Sequence, residues 1–330
     1  MCRGQHVPRS HFTDFTYLAK KGAVLLYVEE ERRRKLLEEL RSIRTKGLTP
    51  SQASKLTGKL QFTLSWSFGR IGRAALQPFF GRVTADESVT APTPGLTRAA
   101  GFLADIMANL PAIDICLDRA WEAPILVWSD AMYEKSGDIP AQGGFVVRIP
   151  GTGGGDPVTY YSRHATPKGV LKQFVPGKKQ YIGQLELLYA VAVYTTLPKK
   201  FANRRVIHFI DNTSAVAGLI KGYSRAIDSG RIVNAFHALN AGLRAETFFE
   251  YVRSKANIAD LPSRGEMHDL RRILTEAGGF GSLRQVQCIL PSMSDWHDHA
   301  AVWMQRGARE REKKKSWSAT AISRKRAKGQ

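Results

Sequence analysis

Cysteine is scarce in this chain. The three present, Cys2, Cys116 and Cys288, are far apart and have no histidines at metal-ligand spacing, so neither a disulfide framework nor a zinc site is expected. Long apolar runs are missing as well: the longest candidate, Leu185 to Leu197, is interrupted by Glu186 and two threonines, short of the ~18–20 residues a membrane-spanning helix requires. The first residues, Met-Cys-Arg-Gly-Gln-His, lack the apolar core of a secretory signal. The expectation is a soluble, intracellular protein in a reducing compartment, with no membrane partner. Acidic residues are also in short supply. Asp and Glu number 29 against 49 Lys and Arg, a formal charge of +20, and the basic residues are spread along the chain. Such a surface attracts polyanions, of which nucleic acid is the commonest a soluble protein meets.

What is present begins with helical periodicity. From Val28 onward, Leu36, Leu37, Leu40 and Ile43 recur beneath a heavily charged face, an amphipathic helix closed by Gly47. Thr49 as N-cap and Pro50 at the first helical position start a second helix carrying Ala53, Leu56, Leu60 and Leu64 on one side. A small helical module is therefore expected over 23–83, after a tail at 1–22. Its second half, with Gly58-Lys59-Leu60 and Gly69-Arg70-Ile71-Gly72-Arg73, is basic and glycine-punctuated, suited either to close helix packing or to a phosphate backbone. Residues 84–123 read as a Thr/Pro/Ser/Ala-rich linker followed by a helix from Thr97 to Leu110.

A second domain is expected over 124–276. The run Ile125-Leu126-Val127-Trp128 suits a strand covered on both faces, and Gly143 to Val147 and Val158 to Tyr161 supply two more. The insert Gly151 to Pro157 lacks a following Lys-Ser/Thr and a helix, so it reads as a hairpin tip, not a nucleotide cradle. Tyr181 to Thr196 is a helix apolar almost all round and therefore central. Val206 to Ile210 is a fourth strand, Ser214 to Ile220 and Arg231 to Leu243 are helices, and Thr247 to Val252 is a fifth strand. This succession describes an α/β fold, a mixed five-stranded sheet with helices on both faces. Beyond residue 277 order is expected to weaken into a basic tail, with ten basic residues against two acidic ones from Arg306 to Lys328.

Four acids carry the chemistry. Asp130 and Asp211 each follow a buried strand, where α/β sheets open into a crevice. Glu186 is the lone charge in its helix, and Asp260 lies in Asn-Ile-Ala-Asp-Leu-Pro-Ser-Arg. A buried ionised carboxylate costs several kcal/mol unless paired or coordinated, so four converging ones call for divalent cations. The competing reading of each acid alone is an exposed or capping carboxylate.

The runs Trp-Ser-Asp-Ala, Leu-Glu-Leu, Phe-Ile-Asp-Asn and Ser-Lys-Ala-Asn-Ile-Ala-Asp-Leu-Pro-Ser-Arg together resemble the type 1 ribonuclease H domain of retroelement reverse transcriptases, particularly the tyrosine-recombinase-type and related elements. The resemblance covers about Pro124 to Glu276. The upstream helices, with Leu-Thr-Pro-Ser-Gln-Ala-Ser-Lys-Leu-Thr-Gly-Lys-Leu and Gly-Arg-Ile-Gly-Arg-Ala-Ala-Leu, are similar to the thumb or connection region preceding that domain. The resemblance implies a ribonuclease H-like sheet and Asp130, Glu186, Asp211 and Asp260 as metal-binding catalytic acids. It further implies two Mg²⁺ ions, or Mn²⁺, and in-line hydrolysis of the RNA strand of RNA–DNA hybrids recognised by shape. Gln184 and Asn212 are the candidates for minor-groove hydrogen bonds. A polymerase domain, in a longer chain or in trans, and nuclear residence are implied partners and location.

The chain departs from that family in three ways. No histidine lies in Glu250 to Lys255, before the last aspartate, where many members use one for product release. No Tyr-x-Asp-Asp polymerase signature occurs, so the chain reads as the C-terminal part of a larger polyprotein and no DNA synthesis is expected from it. The interval from Asp211 to Asp260 has no inserted basic helix, leaving the helical module or the tail to supply substrate affinity. The alternative function is a catalytically silent nucleic-acid-binding relic. Transposase, integrase and 3′-exonuclease relatives place their acids differently, and Met132 and Asp260 stand against them. His164 and His208 read as structural or solvated.

Overall fold

A computed structural model describes residues 14–18, 23–65, 70–109, 112–116, 122–134, 139–151, 153–175, 180–291 and 300–312. The first thirteen residues and the basic stretch after 312, both expected to be tails, lie outside the described residues.

The N-terminal module is more than helical. Strands β1 (Asp14–Leu18), β2 (Ala23–Tyr27) and β3 (Ile113–Cys116) form an antiparallel sheet in the order β1-β2-β3. The expected helical module therefore opens on a strand, and β1 falls where a tail was expected. The reason is pairing at long range, since β2 finds β3 some ninety positions downstream. Helix α1 (Glu30–Lys46) buries Leu36, Leu40 and Ile43 and stops at Gly47, whose N–H returns to the Ile43 carbonyl. Helix α2 (Pro50–Ser65) opens on a reciprocal cap: Gln52 N donates to Thr49 Oγ1 at 3.1 Å and Thr49 N donates to Gln52 Oε1 at 3.0 Å. Helices α3 (Gln77–Val83) and α4 (Pro94–Asn109) follow. The span expected to be a linker is tied down: the buried Arg82 guanidinium donates to the carbonyls of Leu48, Val89 and Ala91, and α4 packs along α1.

The larger unit is α/β, a mixed six-stranded sheet flanked by helices. Strands β4 (Ile125–Tyr133), β5 (Ala141–Ile149) and β6 (Val158–Ala165) make an antiparallel meander. β7 (Arg205–Ile210) joins β4 in parallel and β8 (Glu246–Tyr251) joins β7 in parallel. The sixth strand, β9 (Ser282–Gln285), pairs in parallel with β6, giving the order β8-β7-β4-β5-β6-β9. Between β6 and β7 lie a short helix α5 (Lys168–Leu171), the central helix α6 (Ile182–Thr196) and α7 (Pro198–Phe201). α8 (Thr213–Lys221) and α9 (Ile227–Leu243) connect β7 to β8, and α10 (Asp260–Arg264) and α11 (Met267–Ala277) precede β9.

Side chains sort by strand alternation. Val127, Phe145 and Val147 join α6 in the main core, while Trp128, Val146 and Tyr161 meet Leu270 and Leu274 of α11 on the opposite face. Every residue of α6 from Gln184 to Tyr194 is buried, as its all-round apolar pattern requires. Each fully buried aliphatic contributes roughly 1.5–3 kcal/mol. The several in α6 together outweigh the several-kcal/mol cost of holding one carboxylate, Glu186, inside.

The stretch expected to be a disordered tail from 277 is in part ordered. β9 extends the sheet, and residues 300–312 form a helix, α12, whose Trp303 and Met304 are buried. α12 lies against α9, with Arg311 Nη1 donating to the Gly242 carbonyl at 2.9 Å. The apolar residues Ala300, Trp303 and Met304 recur at helical spacing, and they outweigh the basic composition that suggested disorder. The module docks through the loop after α8. There Gly222 has φ +67°, and any Cβ would fall 2.5 Å from the Arg70 carbonyl oxygen.

Candidate metal centre

The strand register puts two carboxylates side by side. β4 and β7 pair in parallel from Ile125 opposite Val206 to Trp128 opposite Phe209. Two positions further along each chain stand Asp130 and Asp211. β7 has ended there, whereas β4 continues beside β5, so the carboxylates face the crevice opened where β7 stops. Glu186 enters from α6. One oxygen from each of Asp130, Glu186 and Asp211 lies within 4.8 Å of the others, with Asp130 and Glu186 buried and Asp211 partly exposed.

The opposite wall is α10. Ser263 Oγ donates a short hydrogen bond to Asp130 Oδ2, and the buried Asn257 donates from Nδ2 to the Ser129 carbonyl at 3.1 Å while accepting from Ala259 N. This approach depends on Gly144, the cross-strand partner of Asp130 on β5. A Cβ there would lie 2.8 Å from Pro262 Cβ and 2.9 Å from the Ser162 carbonyl oxygen, so a side chain would push α10 off the sheet.

Electrostatics at the centre is compensated only in part, by Ser263 and by Arg264, whose guanidinium feels Asp260 and Asp130. Burial, followed by the charges of Asp211 and Asp260, raises the Asp130 carboxyl from its ordinary 3.8 to about 7, against the opposing Ser263 hydrogen bond. Glu186 is pushed well above the ordinary range, first by burial and then by Asp130 and Asp211, with the Ala131 backbone hydrogen bond opposing. Glu186 Oε2 is buried and has no hydrogen-bond partner among the described residues. Three crowded carboxylates with one orphaned oxygen need a proton or a cation. An all-oxygen donor set of this charge fits a hard divalent ion.

Asp260 stands beside this trio and outside the set of converging oxygens. Its carboxylate accepts from Arg264 Nε at 2.7 Å, one turn along α10, although its charge is felt at both Asp130 and Glu186. The motif Asp-Leu-Pro-Ser-Arg explains both contacts: Ser263 and Arg264 follow Asp260 at the third and fourth positions, one turn away on the helix.

The two expected groove contacts, Gln184 and Asn212, each have hydrogen-bond partners within the fold. Gln184 is buried, and its Nε2 donates to Asp228 Oδ2 at 3.2 Å, so it points into the domain and fastens α6 to α9. A burial of all faces of α6 leaves no outward side at position 184. Asn212 caps α8, its Oδ1 accepting from Ala215 N at 3.0 Å and Ser214 Oγ at 2.6 Å. That cap anchors the backbone next to Asp211.

Sequence reading missed Ser263, Asn257 and Gly144. Ser263 and Asn257 were legible only as parts of a motif around Asp260, and Gly144 only as one residue of a strand. His208, expected to be structural or solvated, is buried between Ser129 Oγ at 2.9 Å and Tyr194 OH at 3.4 Å, and burial lowers it to about 3. It is a neutral core residue.

No family model matches the chain, and no curated protein matches it.

Proposed function

We propose that this chain is a metal-dependent endonuclease that hydrolyses the RNA strand of RNA–DNA hybrids, built on a ribonuclease H-like unit. The observation that supports it most is the convergence of Asp130, Glu186 and Asp211 within 4.8 Å at one end of a mixed sheet, with a Glu186 oxygen left unpartnered among the described residues. The resemblance over Pro124 to Glu276, the charge of +20 and the placement of Asp130 and Asp211 side by side where β7 stops support the same reading.

Asp130, Glu186 and Asp211 would hold Mg²⁺ or Mn²⁺, which supplies an activated water and neutralises charge at the leaving oxygen. The protein's own part is orientation. Ser263 fixes Asp130, the Ala131 backbone fixes Glu186, and the Asn212 cap holds the chain that carries Asp211. Asp260, held by Arg264, adds negative charge at the edge of the centre and raises its affinity for cations. Nuclear residence and a polymerase domain acting in a longer chain or in trans belong to the same reading.

The test uses the full chain and a labelled RNA–DNA hybrid, with Mg²⁺, with Mn²⁺ and with chelator. Cleavage of the RNA strand in either metal, lost in chelator and in Asp211→Asn, is the expected result. Cleavage that persists in Asp211→Asn overturns the assignment. A second reading, a nucleic-acid-binding relic without catalysis, draws on the Asp260–Arg264 ion pair, which engages the fourth acid. It requires salt-sensitive binding of hybrids with no cutting in either metal.

A further inference from the structure

Basic side chains from both parts of the molecule gather beside the first turn of α9. That turn lies at the carboxylate end of the sheet: α9 leads into β8, which runs parallel to β7, so α9 begins at the end where β7 stops just before Asp211. Gln184, two residues before Glu186, reaches Asp228 in the same turn. From the module, Arg73 Nη1 donates to the Lys221 carbonyl at 3.3 Å, and Gln77 Nε2 donates to the Arg225 carbonyl at 3.2 Å. These two contacts set Arg73 and Gln77 against the backbone of Lys221 and Arg225, and Arg73, Lys221 and Arg225 are all exposed at this junction. The turn Arg73–Leu76 packs between α4 and α9, with Ala74 Cβ 3.6 Å from where a Cβ on Gly230 would stand, and there Arg98 of α4 repels Arg231 of α9: burial first and then Arg98 lower the affinity of Arg231 for its proton, with Asp228 opposing.

One acid, Asp228, faces the group, and its charge offsets only part of what burial and Arg98 do to Arg231. The nearby Asp228 is buried, and its oxygens accept from Val175 N, Gln184 Nε2 and Ser229 N. Arg73, Arg98, Lys221, Arg225 and Arg231 make no ion pair with an acid among the described residues. Elsewhere on the module surface the pattern is the reverse, with Arg34–Glu38, Lys35–Glu31 and Lys59–Glu39 pairs on α1 and α2. Cations gathered across a domain junction and only partly offset form a site for a polyanion, and a duplex presents one phosphate per ~1.7 Å of its axis.

We propose that this junction, Arg73 and Arg98 from the module with Lys221, Arg225 and Arg231 from the α8–α9 region, is a phosphate-binding face that seats the backbone of a nucleic-acid duplex reaching the carboxylate centre. The inference rests on the nucleic-acid reading above and adds a role for the module: it completes a binding face that the α/β unit holds only in part.

The experiment measures binding of a labelled RNA–DNA hybrid to the full chain in chelator over a range of salt. It compares wild type with the exposed pair Arg98→Gln plus Arg225→Gln and with the charge-preserving pair Arg98→Lys plus Arg225→Lys, each checked by thermal melting. Losing two phosphate contacts lowers the slope of log K against log salt by about 1.8 and weakens binding at least about tenfold at moderate salt. The lysine pair restores most of both. In Mg²⁺ the Gln pair raises KM more than it lowers kcat. An unchanged slope and affinity in a folded Gln pair overturns the proposal, as does failure of wild type to bind the hybrid. Wild type that binds with the expected slope change but never cleaves defeats the nuclease reading alone. Cleavage by wild type with no slope change in the Gln pair defeats this face alone.

Discussion

Arg82 in the N-terminal module and the carboxylates at the end of the large sheet handle buried polarity in opposite ways. In the module, Arg82 is buried and gives its guanidinium to three carbonyls, and α2 opens on a reciprocal cap. At the sheet end, Asp130 sits at about 7 and a Glu186 oxygen has no partner among the described residues. Folding alone selects for the first arrangement, since an unsatisfied buried group costs about 1–3 kcal/mol. The second persists where a ligand supplies what the protein withholds. Asn234 Oδ1 and Arg244 Nε in the scaffold are also buried without a hydrogen-bond partner among the described residues, so the convergence of carboxylates that raise one another, more than one orphaned atom, separates the candidate site from the scaffold.

The sharpest way to break that contrast is Asp130→Asn. Cleavage should fall by at least about a thousandfold, or about 4 kcal/mol of transition-state stabilisation, while the metal-free protein at pH 8 becomes more stable, because a repelled buried charge is gone and the amide oxygen still accepts from Ser263. A less stable Asn variant in urea unfolding would remove the claim that the centre is strained.

The same strain has a pH signature. The folded carboxyl of Asp130 lies at about 7 against an ordinary 3.8, so the native state holds the proton more tightly. Metal-free stability should therefore fall as pH rises from about 4 to about 7, by as much as about 4 kcal/mol at ~1.4 kcal/mol per unit. Mg²⁺ should raise the melting temperature at pH 8 and leave it nearly unmoved at pH 5. A flat profile, or equal stabilisation at both pH values, counts against a cation site.

In the module the expectation reverses. Arg82→Met leaves three carbonyls unmet and should cost about 3 kcal/mol of stability, read by urea unfolding. Gly144→Ala tests the link between scaffold and centre: crowding against Pro262 should cost about 2 kcal/mol and reduce cleavage by moving Ser263 away from Asp130. Cleavage at the wild-type rate in a folded Gly144→Ala protein would show that the approach of α10 is dispensable. Thr49→Ala, which removes one half of the cap on α2, is the smallest effect, about 1 kcal/mol in the same unfolding assay with cleavage unaltered.

Much of the larger unit was legible in the residues. Ile125 to Trp128, Val206 to Ile210 and the all-round apolar α6 announce their elements because burial on every side leaves an unbroken apolar run. Asp130, Glu186 and Asp211 stand out as charges interrupting such runs. The local reading fails where a partner lies far along the chain. β1 and β2 were hidden because their sheet is completed by β3, and β9 because it borrows an edge of β6. Gln184 has the composition of a groove contact and the position of an internal tie, a difference that only the α9 side chain Asp228 reveals.

Sequence by itself determined which segments bury apolar surface, where helices are capped and which four acids are candidates, because hydrophobic periodicity and charge are written residue by residue. Tertiary structure alone decided that Asp130, Glu186 and Asp211 meet within 4.8 Å, that Asp260 turns to Arg264 instead of joining them, and that the module sets Arg73 beside α9. Each of these depends on strand register and helix approach, which are set by packing between residues distant in the chain.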